Sequence, residues 1–302
     1  MKRLSLIILT YNSERDIYDC LRSVYQYNDI GDALEVIVVD NNSPGFPAMQ
    51  AQLKTLFPEV ITIANTHNGG YGQGNNVGIR IATAPYIAIM NPDIRLIMPV
   101  FGTIVSTLER PDVLLCGGKQ YTESHQAARS FCYDHDAPAI LQSVGNILRF
   151  KTDTYDYRRM WLSGAFFAIQ KAAFEKIGLF DERIFMYAEE FNIHIRLRRA
   201  FPHKKMVYLR QCQYLHLMGE RPHTPETAYK TYRSDIYACE LHHDSPMKCI
   251  RRKKRTLRIM RTINIIVCAL QGRHADGQSN YEASMLALQR LQDEYQHSGT
   301  TL

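Results

Sequence analysis

Asn91-Pro92-Asp93 follows the apolar run 86–90. An aspartate just past a strand end suits a hard divalent cation that also holds phosphate oxygens. Alone, the tripeptide reads more readily as a type I turn with proline in second place. Farther on, Glu189-Glu190 opens a helical pattern. Adjacent carboxylates there gain only modestly from the helix dipole, and holding them together raises one of them toward the range of a general base. An exposed acidic first turn is the plainer alternative. His216 lies in the apolar stretch 214–218 at a strand end, where it is either a packed core imidazole or a metal ligand. Finally, 68–76 interleaves Asn68, Asn75 and Asn76 with Gly69, Gly70, Gly72 and Gly74. Glycines among amides suit close approach of backbone to a polar ligand, or a flexible loop that caps a helix at Asn75/Asn76. It is not a dinucleotide fingerprint. Asn75 stands where the last glycine belongs, and the stretch follows the third strand, not the first.

Short apolar runs rich in branched residues occupy 4–9, 34–39, 60–64 and 86–90, as buried parallel strands do. Ile17, Cys20, Leu21 and Val24 recur between the first two at helical spacing, behind a cap expected at Asn12/Ser13. A turn-rich helix entry over 65–81 separates the last two. This alternation predicts an α/β fold with a doubly wound, mainly parallel sheet. The strands run into Thr10-Tyr11-Asn12, Asp40-Asn41-Asn42-Ser43, the 68–76 cluster and Asn91-Pro92-Asp93. Ligand sites of open sheets gather at such carboxyl ends. A strand over 161–169, a helix over 171–177 and a helix from 189 to about 199 are expected next. From 225 the pattern is helical, with Tyr229, Tyr232 and Ile236 on one face, after a soft boundary at 219–225.

The 302 residues are 45% apolar and 22% charged, which excludes a disordered chain and a small disulfide scaffold. Seven cysteines are scattered singly, so neither a zinc site nor a disulfide framework is expected, and a reducing cytosol is the natural compartment. The longest mainly apolar stretch without charge, 96–108, is interrupted by Pro99 and Gly102 and is too short to span a bilayer. Net charge is +6, yet Lys248, Arg251, Arg252, Lys253, Lys254, Arg255, Arg258 and Arg261 stand together without an acid between them. The basic balance is therefore local and does not describe a nucleic-acid-binding surface. Followed by Ile263, Ile265, Ile266 and Val267, the segment 248–267 is expected either to pack on the protein or to lie on an anionic membrane surface.

In order, the strings LIILTYNSE, EVIVVDNNS, NGGYGQGNN, IMNPD, WLSGAFFAIQKAAFEKIGLFDE and FMYAEEFNIHIR resemble the family 2 glycosyltransferases of the GT-A fold. They look most like its bacterial rhamnosyltransferase-like branch. The resemblance covers about 3–218. It implies that Thr10, Tyr11, Asn12 and Glu14 line the nucleotide pocket, that Asp40 reads the base, and that Asn68, Gly69 and Asn76 lie beside the nucleotide. Asn91 and Asp93 match a metal motif usually written Asp-x-Asp, of which this branch keeps the last carboxylate. His216 matches a position that often completes coordination of the ion, Mg²⁺ or Mn²⁺. Ser163-Gly164-Ala165 matches an acceptor-side strand. Glu190, with Glu189 beside it, takes the place of the catalytic base. The match departs at Glu189-Glu190-Phe191-Asn192, where the branch reads Glu-Asp-x-Asp.

Implied with it are a nucleotide-sugar-binding half over 1–100, an acceptor-binding half over 101–220 and a helical extension with the basic segment over 221–302. The implied reaction is metal-dependent, inverting transfer from a nucleotide diphosphosugar, dTDP-rhamnose or a UDP-sugar, to a saccharide or lipid-linked acceptor in surface polysaccharide assembly. The expected location is cytoplasmic, or peripheral on the inner face of the cell membrane. A catalytically silent nucleotide-sugar-binding subunit and a sugar-phosphate nucleotidylyltransferase are the rival readings. The latter prefers a glycine-rich basic loop where this chain has Thr10-Tyr11-Asn12.

Overall fold

Branched apolar residues buried on both faces build the centre of an eight-stranded sheet, as the runs at 4–9, 34–39 and 86–90 require. The structure, a computed structural model, describes residues 1–217, 223–272 and 277–297. The sheet comprises β1 (Leu4–Thr10), β2 (Leu34–Asp40), β3 (Ile61–Ala64), β4 (Tyr86–Met90), β5 (Ile94–Leu96), β6 (Val113–Tyr121), β9 (Phe166–Gln170) and β10 (Lys205–His216). Its order is β3-β2-β1-β4-β9-β6-β10-β5. β3, β2, β1 and β4 are mutually parallel, as are β6 and β10, while β9 runs against both its neighbours and β5 against β10. The sheet is flanked by α1 (Ile17–Gln26), α2 (Phe46–Leu56), α3 (Gly70–Ile81), α4 (Phe101–Leu108) and α6 (Lys171–Lys176).

Helix α1 buries Ile17, Cys20, Leu21 and Val24 as its spacing predicts, but its cap differs from expectation. Asp16 occupies the N-cap position without a side-chain bond, because Asn12 and Ser13 belong to the loop after β1. The strand expected over 161–169 is two strands, β8 (Met160–Leu162), which pairs with β7 (Phe131–Tyr133) in a separate two-stranded sheet, and β9, since Ser163-Gly164-Ala165 leaves the ladder. Asn75 and Asn76 cap nothing; both lie inside α3.

The chain divides into two compact units that are not contiguous in sequence. The first comprises 1–131, 162–185 and 192–219, and so holds the eight-stranded sheet. The second comprises 132–161, 186–191 and 220–302. In it a π-helical turn, Leu141–Gly145, runs into α5 (Asn146–Thr152), and α8 (Pro225–Leu241), α9 (Pro246–Leu270) and α10 (Gln278–His297) pack together. The chain passes from the second unit back into the first within α7 (Glu189–Ala200). The boundary expected over 219–225 falls partly on 218–222, outside the described residues. The basic segment lies on α9, and part of it turns inward. Lys253 and Lys254 are buried, Lys253 against Asp235 and Lys254 against Gln289 and Gln292, while Arg252 bonds Asp244.

Candidate functional site

The loop after β1 is tied to the loop after β2. Parallel pairing sets Thr10 beside Asp40, and Thr10 Oγ1 donates to Asp40 Oδ1 at 3.0 Å. Ser43 donates to the same carboxylate twice, through its backbone N–H to Oδ2 at 2.6 Å and its hydroxyl to Oδ1 at 2.7 Å. Asn12, in the left-handed region that asparagine tolerates, donates its N–H to Ser43 Oγ at 2.8 Å. Asp40 is fully buried. Its present partners make it the tie of this floor, while Tyr11 and Asn12 are exposed and Glu14 half-buried against Gly45.

The glycine-amide cluster is built chiefly for packing. A Cβ on Gly78 would lie 2.7 Å from Ile7 Cγ2 and 3.0 Å from Val39 Cγ2, so α3 rests directly on β1 and β2. Gly70 has φ +88, and the Tyr71 N–H donates to the Phe185 carbonyl at 2.8 Å, where a side chain on Gly70 would collide. Asn41 Nδ2 donates to Asn68 Oδ1 at 2.8 Å and Asn65 Nδ2 to Asn41 Oδ1 at 2.8 Å, which fixes the amides beside Gly69. Asn76 points elsewhere: it bonds both backbone groups of Phe180, and Glu182 Oε1 at 2.9 Å. That bond, together with Arg80, holds the Glu182 carboxyl below its ordinary range.

Two potential metal ligands come together at the far strands. Antiparallel pairing sets His216 opposite Ile94, next to Asp93, and the Leu217 N–H donates to the Asp93 carbonyl at 2.9 Å. His216 Nε2 stands 3.4 Å from Asp93 Oδ2, both side chains being largely shielded from solvent. This approach lacks hydrogen-bond geometry: buried Nε2 has no hydrogen-bond partner. The other ring nitrogen explains why. Gln120 Nε2 donates to the Arg129 carbonyl, so its Oε1 faces Ser163 Oγ at 3.4 Å, Tyr214 OH at 3.5 Å and His216 Nδ1 at 3.3 Å. An acceptor there assigns the proton to Nδ1 and leaves a lone pair on Nε2 turned to a carboxylate. Two donors of electron pairs converging in this way fit a divalent cation. Among the described residues no cluster holds three or more His, Cys, Asp or Glu ligands, which suits an ion that takes most of its oxygens from substrate phosphate and water. A cleft of about 430 Å³, lined by Thr122, Glu123, Ser124, His216 and Leu217, opens beside it. Asn91 is anchored through its N–H to the Ala165 carbonyl at 2.8 Å, just before this pair.

Glu189 and Glu190 belong to the second unit. Glu189 is buried, and burial first, then the Glu190 charge, pushes its carboxyl well above the usual range. Glu190 keeps partial exposure. Asn192, where the resembling branch has a carboxylate, is buried in the first unit, so its neutral amide avoids burying a further charge. Sequence reasoning missed Gln120 and Asn65 as organisers, since neither lies in one of the quoted strings. Ser43 closes the string EVIVVDNNS, but nothing in that string marks it as the partner of Asp40.

The sequence model of glycosyl transferase family 2 matches residues 5–195. A hexosyltransferase of low-salt glycan biosynthesis, Agl10 of Haloferax volcanii, is 25% identical over 244 residues, spanning 76% of this chain and 72% of that protein. The mannosyltransferase PcManGT of Pyrobaculum calidifontis, solved with GDP-Man and Mn²⁺, superposes with a TM-score of 0.58 at 17% identity, covering 100% of this chain and 77% of that one. GalNAc-T7, solved with UDP, GalNAc and Mn²⁺, gives 0.59 at 15% identity over 73% of this chain and 45% of its own.

Proposed function

Because the chain belongs to glycosyl transferase family 2 and has the GT-A fold, we propose that it moves a hexose from a nucleotide diphosphosugar to a hydroxyl of a saccharide or lipid-linked acceptor, with inversion. The observation that carries this reading is the Asp93–His216 pair beside an open cleft at the sheet's rim. Asp93 and His216 would hold Mg²⁺ or Mn²⁺, which neutralises charge on the departing diphosphate. Mn²⁺ accompanies the nucleotide or nucleotide sugar in both structural relatives. Thr10, Tyr11, Asn12 and Glu14 bound the nucleoside end, and Asp40 keeps that floor in place. Asn68, Gly69 and Asn91 border the pocket, with Asn76 bracing the 180–182 loop behind it.

Glu190 takes the proton of the attacking hydroxyl as its oxygen bonds to the anomeric carbon and the bond from that carbon to the diphosphate oxygen breaks. Glu189 is buried, away from an incoming hydroxyl, and serves as the brace, while Glu190 keeps the exposure a base needs. Donor sugar and base remain those of the resemblance, dTDP-rhamnose or a UDP-sugar, with GDP-mannose added by the likeness to PcManGT. The exposed cations of α9 and the apolar residues beyond them suit attachment to an anionic membrane surface, next to lipid-linked acceptors.

The test is nucleoside diphosphate release from GDP-mannose, UDP-N-acetylglucosamine and dTDP-rhamnose, with and without Mn²⁺. One donor should turn over, and Glu190→Gln should lower its turnover roughly 10²–10⁴-fold while donor affinity barely changes. Unchanged turnover in that variant, with loss in Glu189→Gln, would move the base by one residue. Donor binding with no release by wild-type protein would favour the silent subunit.

A further inference from the structure

The acidic pair is presented by backbone that does not hold its own shape. Tyr187 and Ala188, just before it, both lie in the left-handed region, with φ of 73 and 69. Each such non-glycine residue costs on the order of 1 kcal/mol or more, and persists only where surroundings over-determine it. Phe191, the residue after Glu190, is fully buried. The His135 ring stacks on it at 4.8 Å and 19°, and the His242 ring meets it edge-on at 5.7 Å and 88°.

His135 is itself fastened on both sides. Its Nδ1 lies 3.0 Å from Asp235 Oδ1 and 3.1 Å from Lys253 Nζ, and Lys253 Nζ donates to Asp235 Oδ2 at 2.5 Å. Its backbone carbonyl accepts from Arg252 Nε at 2.8 Å and Gln142 Nε2 at 2.8 Å. A buried lysine, aspartate and histidine in mutual contact are expensive to assemble, and no reactive chemistry has yet been assigned to them. All lie in one unit with the acidic pair.

We infer that His135, locked by the Asp235–Lys253 ion pair, is a positioning residue that fixes the first turn of α7 through Phe191 and so aims Glu190. This deepens the transferase reading and rests on it. The lock also acts through charge. The groups that face Glu189 are Glu190 on its own helix and Asp235 on α8; after burial, their charges are what hold its carboxyl up. Lys253 partly offsets Asp235. Glu189 therefore holds its proton to higher pH than it would without Asp235.

The experiment compares wild type, His135→Ala, His135→Phe and Asp235→Asn in full-length protein with Mn²⁺, reading nucleoside diphosphate release from whichever donor named above the wild type turns over. His135→Ala should lower kcat roughly 10-fold to 100-fold, the scale of a displaced catalytic group, with donor KM within about twofold. His135→Phe should restore most of the loss by keeping a ring against Phe191. Asp235→Asn should move the acid limb of the kcat–pH profile to lower pH, because losing its negative charge lets the pair ionise sooner. Trp161, the sole tryptophan, lies 5.7 Å from the His135 ring, so its emission shows whether each variant is folded there. If His135→Ala fails to fold, the other two variants decide. Wild-type kcat in His135→Ala would overturn the inference. So would a fixed acid limb in Asp235→Asn, or a His135→Phe variant as slow as the alanine one. A folded wild type that releases nothing from any donor would instead sink the transferase reading.

Discussion

Gln120 settles a question that His216 cannot settle for itself. Either ring nitrogen of a neutral histidine can carry the proton, and only the tautomer with a bare Nε2 can join Asp93 in holding a cation. The Gln120 amide is oriented by the Arg129 carbonyl and meets two further hydroxyls, so its oxygen is fixed toward Nδ1. Such supporting partners are typically worth 10–100-fold in metal affinity. Gln120→Leu should therefore weaken Mn²⁺ binding about 10-fold to 100-fold, read by electron paramagnetic resonance of free Mn²⁺ in the presence of nucleoside diphosphate. Asp93→Ala should abolish it. An unaltered Mn²⁺ isotherm in the leucine variant would remove Gln120 from this role.

Helix α3 shows how an element can defy its own propensities. Glycine in a helix interior is disfavoured by roughly 1 kcal/mol relative to alanine, yet Gly70, Gly72, Gly74 and Gly78 all lie in this one. At Gly78 the contest can be measured. Alanine would gain about 1 kcal/mol of propensity but press its methyl into Ile7 and Val39, and overpacking of this kind costs typically 1–3 kcal/mol. Gly78→Ala should lower the urea midpoint of unfolding; a raised midpoint would show that α3 can lift off the sheet. The glycines were legible as a cluster, but not as a packing device. What they touch is far off in sequence: Gly74 and Gly78 meet β1 and the end of β2, and Gly70 and Gly72 meet Phe185, Phe180 and Asp181. β1, β2 and β4 were readable because each buries both faces within a few residues. β6 and β10 mix glycine, lysine, arginine and glutamine into long strands, so no local period marks them. The acidic pair and the Asn91-Pro92-Asp93 turn were visible as strings. His135, Asp235 and Lys253 were not, since the bond from Lys253 to His135 spans 118 residues.

At the scale of the whole molecule, α9 divides the basic segment between two tasks. Arg252, Lys253 and Lys254 are committed to internal partners, and breaking the buried Lys253–Asp235 pair costs about 3–5 kcal/mol. Arg251, Arg255 and Arg258 recur at i, i+4 and i+7 on an exposed face, with Lys248 before them and exposed Ile265, Ile266, Val267 and Leu270 beyond. No described helix is long and apolar enough to cross a membrane. At about 1 kcal/mol for each cation near an anionic surface, these four suffice for reversible attachment. The protein should float with phosphatidylglycerol liposomes at low salt. It should be released by about 0.5 M salt, where the screening length falls to roughly 4 Å, or by joint replacement of Lys248, Arg251, Arg255 and Arg258 with serine. Wild-type protein left in the pellet fraction would end the proposal. The division into units has an evolutionary corollary. The match to the family stops at residue 195, whereas Asp235 and Lys253 lie beyond it on α8 and α9. If the base is tuned from there, drift or recombination in the tail could reset the speed of the enzyme while leaving its choice of donor to be inherited intact.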